Sequence, residues 1–466
     1  MTSRLSLLLL ALLFSLPVTA QDWRPVSSGD AFHTDLHGVW QSHGYGWLLT
    51  VEADQARMYN ISPAGCLPDD QTSQYLADGS GVFRFDGDTL HLSAFETNSS
   101  RYTFDRLAAL PAMCEAPPGT SPREVFDYAW TVMNRHYAFF DLYSVDWHAR
   151  YEAIAPTLRD DTSGEELRDA ILAMLDGLDD NHLTFSWVID GNEDDYSARP
   201  PRQLRSALRA AFAEQDEIER IGQFGNQWFF ANRNRIRDEL LGGEFETASG
   251  GNVFWGRIGD IGYLNIAGMG GFAETEDDSD ATLAVETAAV HATMERVLAD
   301  LGDTKAMIVD VALNQGGYDD VSLAISSHFA SRPTPAVTKY AHTAPGATRQ
   351  ILSVIPTGSI YTKPVVVLTS EVTVSAAETF TMQMRALPTV THVGETTRGA
   401  LSDVLFRPLP NGWLLTLSNE VYLDHAGMLW EGRGILPEEP MVLFADGDIH
   451  GHVEAIRTLA AQLQDE

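Results

Sequence analysis

Hydrophobic patterning divides the chain into regions with different periods. From 21 to about 117, short alternating runs are bounded by turn formers: Gly38-Val39-Trp40-Gln41-Ser42, Gly46-Trp47-Leu48-Leu49-Thr50-Val51 and Gly81-Val82-Phe83-Arg84-Phe85. Asp86-Gly87-Asp88 leads directly into Thr89-Leu90-His91-Leu92, a hairpin signal. A small antiparallel barrel or sandwich is expected there. From Ser121 to about Gly177 the period becomes helical. Val125, Phe126, Ala129, Trp130 and Met133 recur on one face, as do Leu167, Ile171, Leu172, Met174 and Leu175. Arg199 to Leu241 is polar and mostly helical in pattern. Beyond it, Ile261 to Ile266 reads as a strand, Ala306 to Val311 as another buried strand, and Val365 to Leu368 as an apolar run too continuous for a half-exposed strand. They suit a parallel sheet covered on both faces. Helical patterns from Ala281 to Leu301 and from about Asp320 to Phe329 separate them, which is an α/β order. The expected organisation is a leader over 1–20, a small all-β domain over 21–117, a helical segment over 118–195, a mostly helical connector over 196–250 and an α/β core over 251–466.

Composition narrows the setting. Arg4, the apolar run Leu5 to Leu16 and Val18-Thr19-Ala20 form a secretory signal peptide with cleavage expected after Ala20. No later apolar run is long enough to cross a bilayer, so a periplasmic or secreted protein is expected. The formal charge of −34 argues against nucleic acid or an anionic membrane as partner. The chain has two cysteines, Cys66 and Cys114. In an exported protein an even count favours a disulfide, and two cysteines are too few for a zinc site. No metal or organic cofactor is implied.

Candidate chemistry gathers at two strand-to-helix turns. Ser375-Ala376-Ala377-Glu378 follows the third apolar strand and opens a helix. Ser-x-x-Glu is the pattern of a capping box, in which both side chains satisfy free backbone N–H groups. It is also where a nucleophilic serine would lie beside unpaired N–H groups and the positive end of a helix dipole. The stretch alone does not choose. The second turn, Gly316-Gly317, follows the strand ending at Val311, and its glycines let backbone N–H groups approach a substrate closely. In an α/β layer both turns open at the carboxyl edge of the sheet, where ligands bind. His182 follows the second amphipathic helix, where a histidine commonly serves as a cap or surface residue.

The order of these pieces resembles the C-terminal processing peptidases. The matching segments are Leu178-Asp179-Asp180-Asn181-His182, Val309-Asp310-Val311-x-x-Asn314-x-Gly316-Gly317, Ser375-Ala376-Ala377-Glu378, Val393-Gly394-Glu395-Thr396-Thr397-x-Gly399 and Glu431-Gly432-x-Gly434-Ile435-x-Pro437. They extend over about Pro122 to Leu443, and within the family the chain is similar to the tricorn and retinoid-binding branch. The branch with a serine–lysine pair places its base after a glycine equivalent to Gly399, where this chain has Ala400. Its only lysines, Lys305, Lys339 and Lys363, all precede Ser375. The resemblance implies a crotonase- or Clp-protease-like core that hydrolyses peptide or protein substrates through an acyl-enzyme. Ser375 would be the nucleophile, His182 the base and Glu431 its orienting carboxylate, with backbone N–H groups of Gly316, Gly317 and Ala376 as the oxyanion hole. His328, His392 and His425 are rival bases. His328 reads as a structural residue inside a helix and His425 as a turn residue, while His392 stays open on sequence alone. Two positions depart from the family: Ala312 stands where an arginine is usual, and Asn181 where tricorn has a serine. Two alternatives remain open at this point, a catalytically silent binder of apolar ligands on the same scaffold and an esterase or amidase using the same triad.

Overall fold

The apolar runs of the C-terminal half become the centre of a seven-stranded sheet in the computed structural model. The model describes residues 23–29, 31–69, 81–198, 203–215, 217–273, 280–344, 346–445 and 448–465. The leader and its cleavage site lie outside the described residues. Strands Ile261–Ile266, Ala306–Asp310, Val365–Thr369 and Val390–Gly394 are neighbours and run parallel. Phe245–Ala248 and Val253–Ile258 extend one edge antiparallel, and the short strand Glu439–Pro440 closes the other.

Alternation explains why the central runs are mostly apolar on both faces. Met307, Val309, Val365 and Val367 face one hydrophobic cluster, built with Val290, Met294, Val321, Ile325 and Phe380 of the helices Asp280–Leu301, Asp319–Ser327 and Ala376–Arg385. Ile308, Val366, Leu368 and Tyr263 face a second cluster, filled by Leu204 of the helix Gln203–Ala213 and by Ile456 and Leu459 of His452–Asp465. A strand covered on both faces needs apolar residues at every position.

The N-terminal region forms one open antiparallel sheet of eight strands rather than a barrel or sandwich. Its second layer comes from elsewhere in the chain. Trp40, Leu49, Met58 and Phe104 share a core with Phe126, Val132 and Met174 of the helices Pro122–His136 and Gly164–Leu175, and with Leu405 and Leu415. The sheet therefore needs no partner sheet of its own. Cys66 and Cys114 are joined by a disulfide.

The segment carrying His182 is not wholly helical. Thr184–Ile189 and Asn192–Ser197 form a hairpin that pairs with Leu414–Ser418, which in turn pairs with Val404–Pro408. The alternation of Phe185, Trp187 and Ile189 ahead of Asp190-Gly191 is the signal that identifies it. Through this sheet the turn at His182 is tied to the C-terminal half.

Polar side chains also fasten the N-terminal sheet to the core. The Asp320 carboxylate accepts the Ser99 N–H at 2.6 Å and the Ser99 hydroxyl at 2.8 Å. Lys339 Nζ donates to Ser100 Oγ at 2.7 Å, and Arg407 reaches the Asn60 side chain and the Tyr45 carbonyl.

Two stability measurements follow. The disulfide spans 48 residues, so its reduction should cost roughly 2–4 kcal/mol of stability by the loop-entropy argument, read as a lower urea midpoint with reductant. Burial raises the Asp320 carboxyl to about 6 despite the two bonds from Ser99. A folded-state pKa above the unfolded value means that this group favours folding most in acid and loses that contribution as the pH rises from about 4 to 6. Urea midpoints of Asp320→Asn should therefore lack this component of the wild-type slope over that window.

Candidate active site

The loops at the carboxyl ends of the parallel strands are stitched together by backbone and hydroxyl groups. Thr373 Oγ1 donates to the Val311 carbonyl and Ser370 Oγ to the Ala312 carbonyl. Val374 N–H donates to the Asn314 carbonyl, Arg398 N–H to the Thr373 carbonyl, and Ser375 N–H to the Ala400 carbonyl. Asn314 is the clamp: its Nδ2 donates to the Ile266 carbonyl at 3.0 Å, and its Oδ1 accepts the Gly316 N–H at 2.8 Å. Three successive strand ends thereby fix the glycine turn against Ser375.

Ser375 itself has φ +60° and ψ −128°. An ordinary N-cap is extended, and a non-glycine residue in this conformation is strained. Glu378 accepts the Ser375 N–H at 3.2 Å, as the capping pattern predicts. Its carboxylate also takes the Thr397 hydroxyl and the N–H groups of Gly399 and Ala400. Burial still pushes the Glu378 carboxyl up. The serine is thus bent out of a normal cap, and a glutamate inside the protein holds the bend.

Gly316 and Gly317 cannot carry side chains. A Cβ on Gly316 would lie 2.7 Å from Ser375 Cβ, and one on Gly317 2.1 Å from the Met269 carbonyl oxygen. Met269 pairs with the turn through Met269 N–H to the Gly316 carbonyl and Tyr318 N–H to the Met269 carbonyl. That pattern leaves the Gly317 N–H directed away from Met269. Among the described residues neither Gly317 N–H nor Ala376 N–H has an acceptor. The expectation for Gly316 is corrected here. Its N–H is already bound by Asn314, so its part is to permit close approach.

His182 and Glu431 reach the same neighbourhood from other directions. The Arg398 guanidinium donates to Asn181 Oδ1 at 3.0 Å, while Arg398 N–H holds Thr373, two residues before Ser375. The Asn181 departure is therefore used as a strut between the histidine turn and the serine turn. Asp180, 1 % exposed, accepts the His182 N–H at 2.8 Å and the Ser418 hydroxyl at 3.0 Å. It stands beside the candidate base in sequence, yet its residue type alone assigned it no role.

Glu431, also 1 % exposed, accepts the N–H groups of Leu401 and Ser402 at 2.9 and 3.0 Å through Oε2. Burial and then the charge of Asp180 push its carboxyl far above the usual range. His182 Nδ1 and Glu431 Oε1 are buried without a hydrogen-bond partner. Among the described residues no hydrogen bond directly joins Ser375, His182 and Glu431.

The rival histidines are engaged elsewhere. His392 lies in a core strand with Nε2 2.7 Å from Thr369 Oγ1, and burial lowers it to about 3. His328 caps the C-terminus of its helix instead of lying inside it, and bonds the Ser359 carbonyl and His291. His425 is exposed in a turn closed by Asp424. Lys339 is no substitute base. Burial opposes its charge, but Glu420 and Asp319 outweigh this and raise its pKa.

Ser375 and Gly317 open into a cavity of about 560 Å³. One wall is formed by residues of the C-terminal core, including Asp319, Leu401 and Asp403, and the other belongs to the N-terminal sheet, including Trp47, Met58 and Phe104.

Residues 260–441 match the model of peptidase family S41, and residues 118–176 match that of the tricorn protease C1 domain. Residues 260–441 thus carry a serine peptidase domain of family S41, preceded at 118–176 by a segment similar to the tricorn protease C1 domain. The N-terminal sheet and His182 lie outside both matched ranges. A candidate peptidase from Parabacteroides merdae is 24% identical over 74% of this chain and 97% of its own, with a TM-score of 0.56, and shares the fold. The photosystem II D1 C-terminal processing protease is 14% identical over 72% of this chain and 97% of its own, at a TM-score of 0.42. The tricorn protease is 14% identical over 90% of this chain but 45% of its own length, also at 0.42.

The glycine turn supplies a direct test. Gly317→Ala must move either the Met269 carbonyl or the Gly317 N–H. Its kcat/KM on a peptide substrate should fall by about 100-fold or more, with a thermal melt confirming that the variant is folded.

Proposed function

We propose that Ser375, His182 and Glu431 act as a catalytic triad that hydrolyses peptide bonds through an acyl-enzyme. The observation that carries this reading is the strained Ser375 backbone at the mouth of a cavity, beside the N–H groups of Gly317 and Ala376. His182 takes the proton from Ser375 Oγ as that oxygen attacks the scissile carbonyl. The oxyanion receives hydrogen bonds from Gly317 and Ala376. The imidazolium then gives its proton to the departing amine, and water, deprotonated by His182, releases the acyl group.

The buried atoms without partners support the assignment. His182 Nδ1 and Glu431 Oε1 are the donor and acceptor that such a triad joins, which leaves Nε2 for the serine. The high pKa of Glu431 fits as well. An imidazolium facing Oε1 offsets both the burial and the repulsion from Asp180, so the carboxylate becomes favourable as His182 gains its proton. The hydrogen bonds of the triad close when substrate is bound.

Export belongs to the same reading. The Cys66–Cys114 bond suits an oxidising compartment, in line with cleavage of the leader after Ala20. Among the described residues no helix is long and apolar enough to cross a membrane.

Hydrolysis of a peptide mixture, followed by mass spectrometry, tests the triad. Ser375→Ala and His182→Ala should each lower kcat by about 10⁴-fold or more. Glu431→Gln should lower kcat more than it raises KM. Undiminished cleavage by Ser375→Ala would falsify the proposal.

A further inference from the structure

The cavity beside Ser375 has a feature that peptide hydrolysis as such does not require. Asp319, Asp320 and Asp403 line it, and among its lining residues there is no lysine, arginine or histidine. Just behind the wall lies the ammonium of Lys339, on which Glu420, Asp319, Asp403 and Asp320 all act. Three carboxyl groups thus line the pocket, with one buried lysine behind the wall as the nearest cation.

These carboxylates are not equivalent. Asp320 is held by Ser99, and Asp319 accepts the Tyr422 hydroxyl at 3.0 Å with Lys339 Nζ 4.0 Å away. Asp403 is exposed. Its Oδ1 accepts only the neighbouring Val404 N–H, and no cation lies within ion-pair distance among the described residues. Asp403 is therefore the carboxylate free to meet a charge from outside.

The opposite wall is apolar, with Trp47, Met58 and Phe104 from the N-terminal sheet. Apolar wall and free carboxylate together describe a ligand with a hydrocarbon stem and a cationic end.

We propose that this cavity is a specificity pocket for a lysine or arginine side chain of the substrate, next to the bond that Ser375 attacks. The methylene stem lies along the apolar wall and the cationic end meets Asp403. The N-terminal sheet thereby builds half of the substrate site. Asp319 and Asp320 add to the negative field, and Asp320 also fastens the sheet to the core. This inference rests on reading Ser375 as the nucleophile.

A binding measurement separates the two readings, because it needs no catalysis. Fluorescent peptides that differ at one position, with lysine, norleucine or glutamine, are titrated onto Ser375→Ala by anisotropy at low and at physiological salt. The lysyl peptide should bind about tenfold more tightly than the norleucyl peptide. Asp403→Asn in the same background should reduce that preference to about threefold or less, with norleucyl binding unchanged. Equal or tighter binding of the norleucyl peptide, a preference that survives Asp403→Asn, or no saturable binding of the lysyl peptide would each overturn the proposal. Hydrolysis that persists in Ser375→Ala would instead overturn the nucleophile assignment. Cleavage by the wild type with no enrichment of basic residues at the cut would overturn the pocket alone.

Discussion

The backbone of Gly316 lies against Ser375 with no room for a methyl group between them. Most of the site depends on that contact. It brings a glycine turn from one strand end onto a serine from the next, and it holds only because Asn314 spans three segments with one side chain and its own carbonyl. The strain at Ser375 is maintained from behind by Glu378, whose carboxylate gathers four donors from two loops. Interactions of this density fix a backbone more firmly than a serine cap alone.

Burial also governs the electrostatics. Glu378, Glu431 and Asp180 are 0–1 % exposed, so little water screens their mutual repulsion. Such a group of carboxylates costs stability unless donors or a cation answer it. Backbone N–H groups supply part of the answer at Glu378 and Glu431. At Glu431 burial and the charge of Asp180 outweigh those donors and keep the carboxyl well above its usual range. The acidic cavity follows the same logic, with Lys339 as its internal counter-charge and Asp403 left over.

The sequence was most readable where a local pattern dictates structure. Val365 to Leu368 can only be buried on both sides, and they occupy the centre of the sheet. Ser-x-x-Glu did mark a helix start, but the pattern has the same form whether the serine is an ordinary cap or a strained one. The distinction lies in φ, which depends on the Gly316 contact from 59 residues away. The N-terminal sheet was misjudged for a similar reason. Its alternation was plain, whereas its second layer comes from helices and from strands beyond residue 400, which no local window contains. Asp180 and Arg398 act through segments distant in the chain, Ser418 and Asn181, which no local window shows.

The most direct test of an activated Ser375 is the site and pH dependence of labelling by a fluorophosphonate, a probe that reacts with activated serine hydroxyls. Activation by His182 requires a single adduct on the peptide containing Ser375, with a labelling rate that follows one ionisation and collapses in His182→Ala while Ser402 and Ser370 stay unmodified. An adduct on another serine would contradict it. So would labelling of Ser375 at the same rate without His182, since the hydroxyl would then owe its reactivity to backbone strain and not to a base.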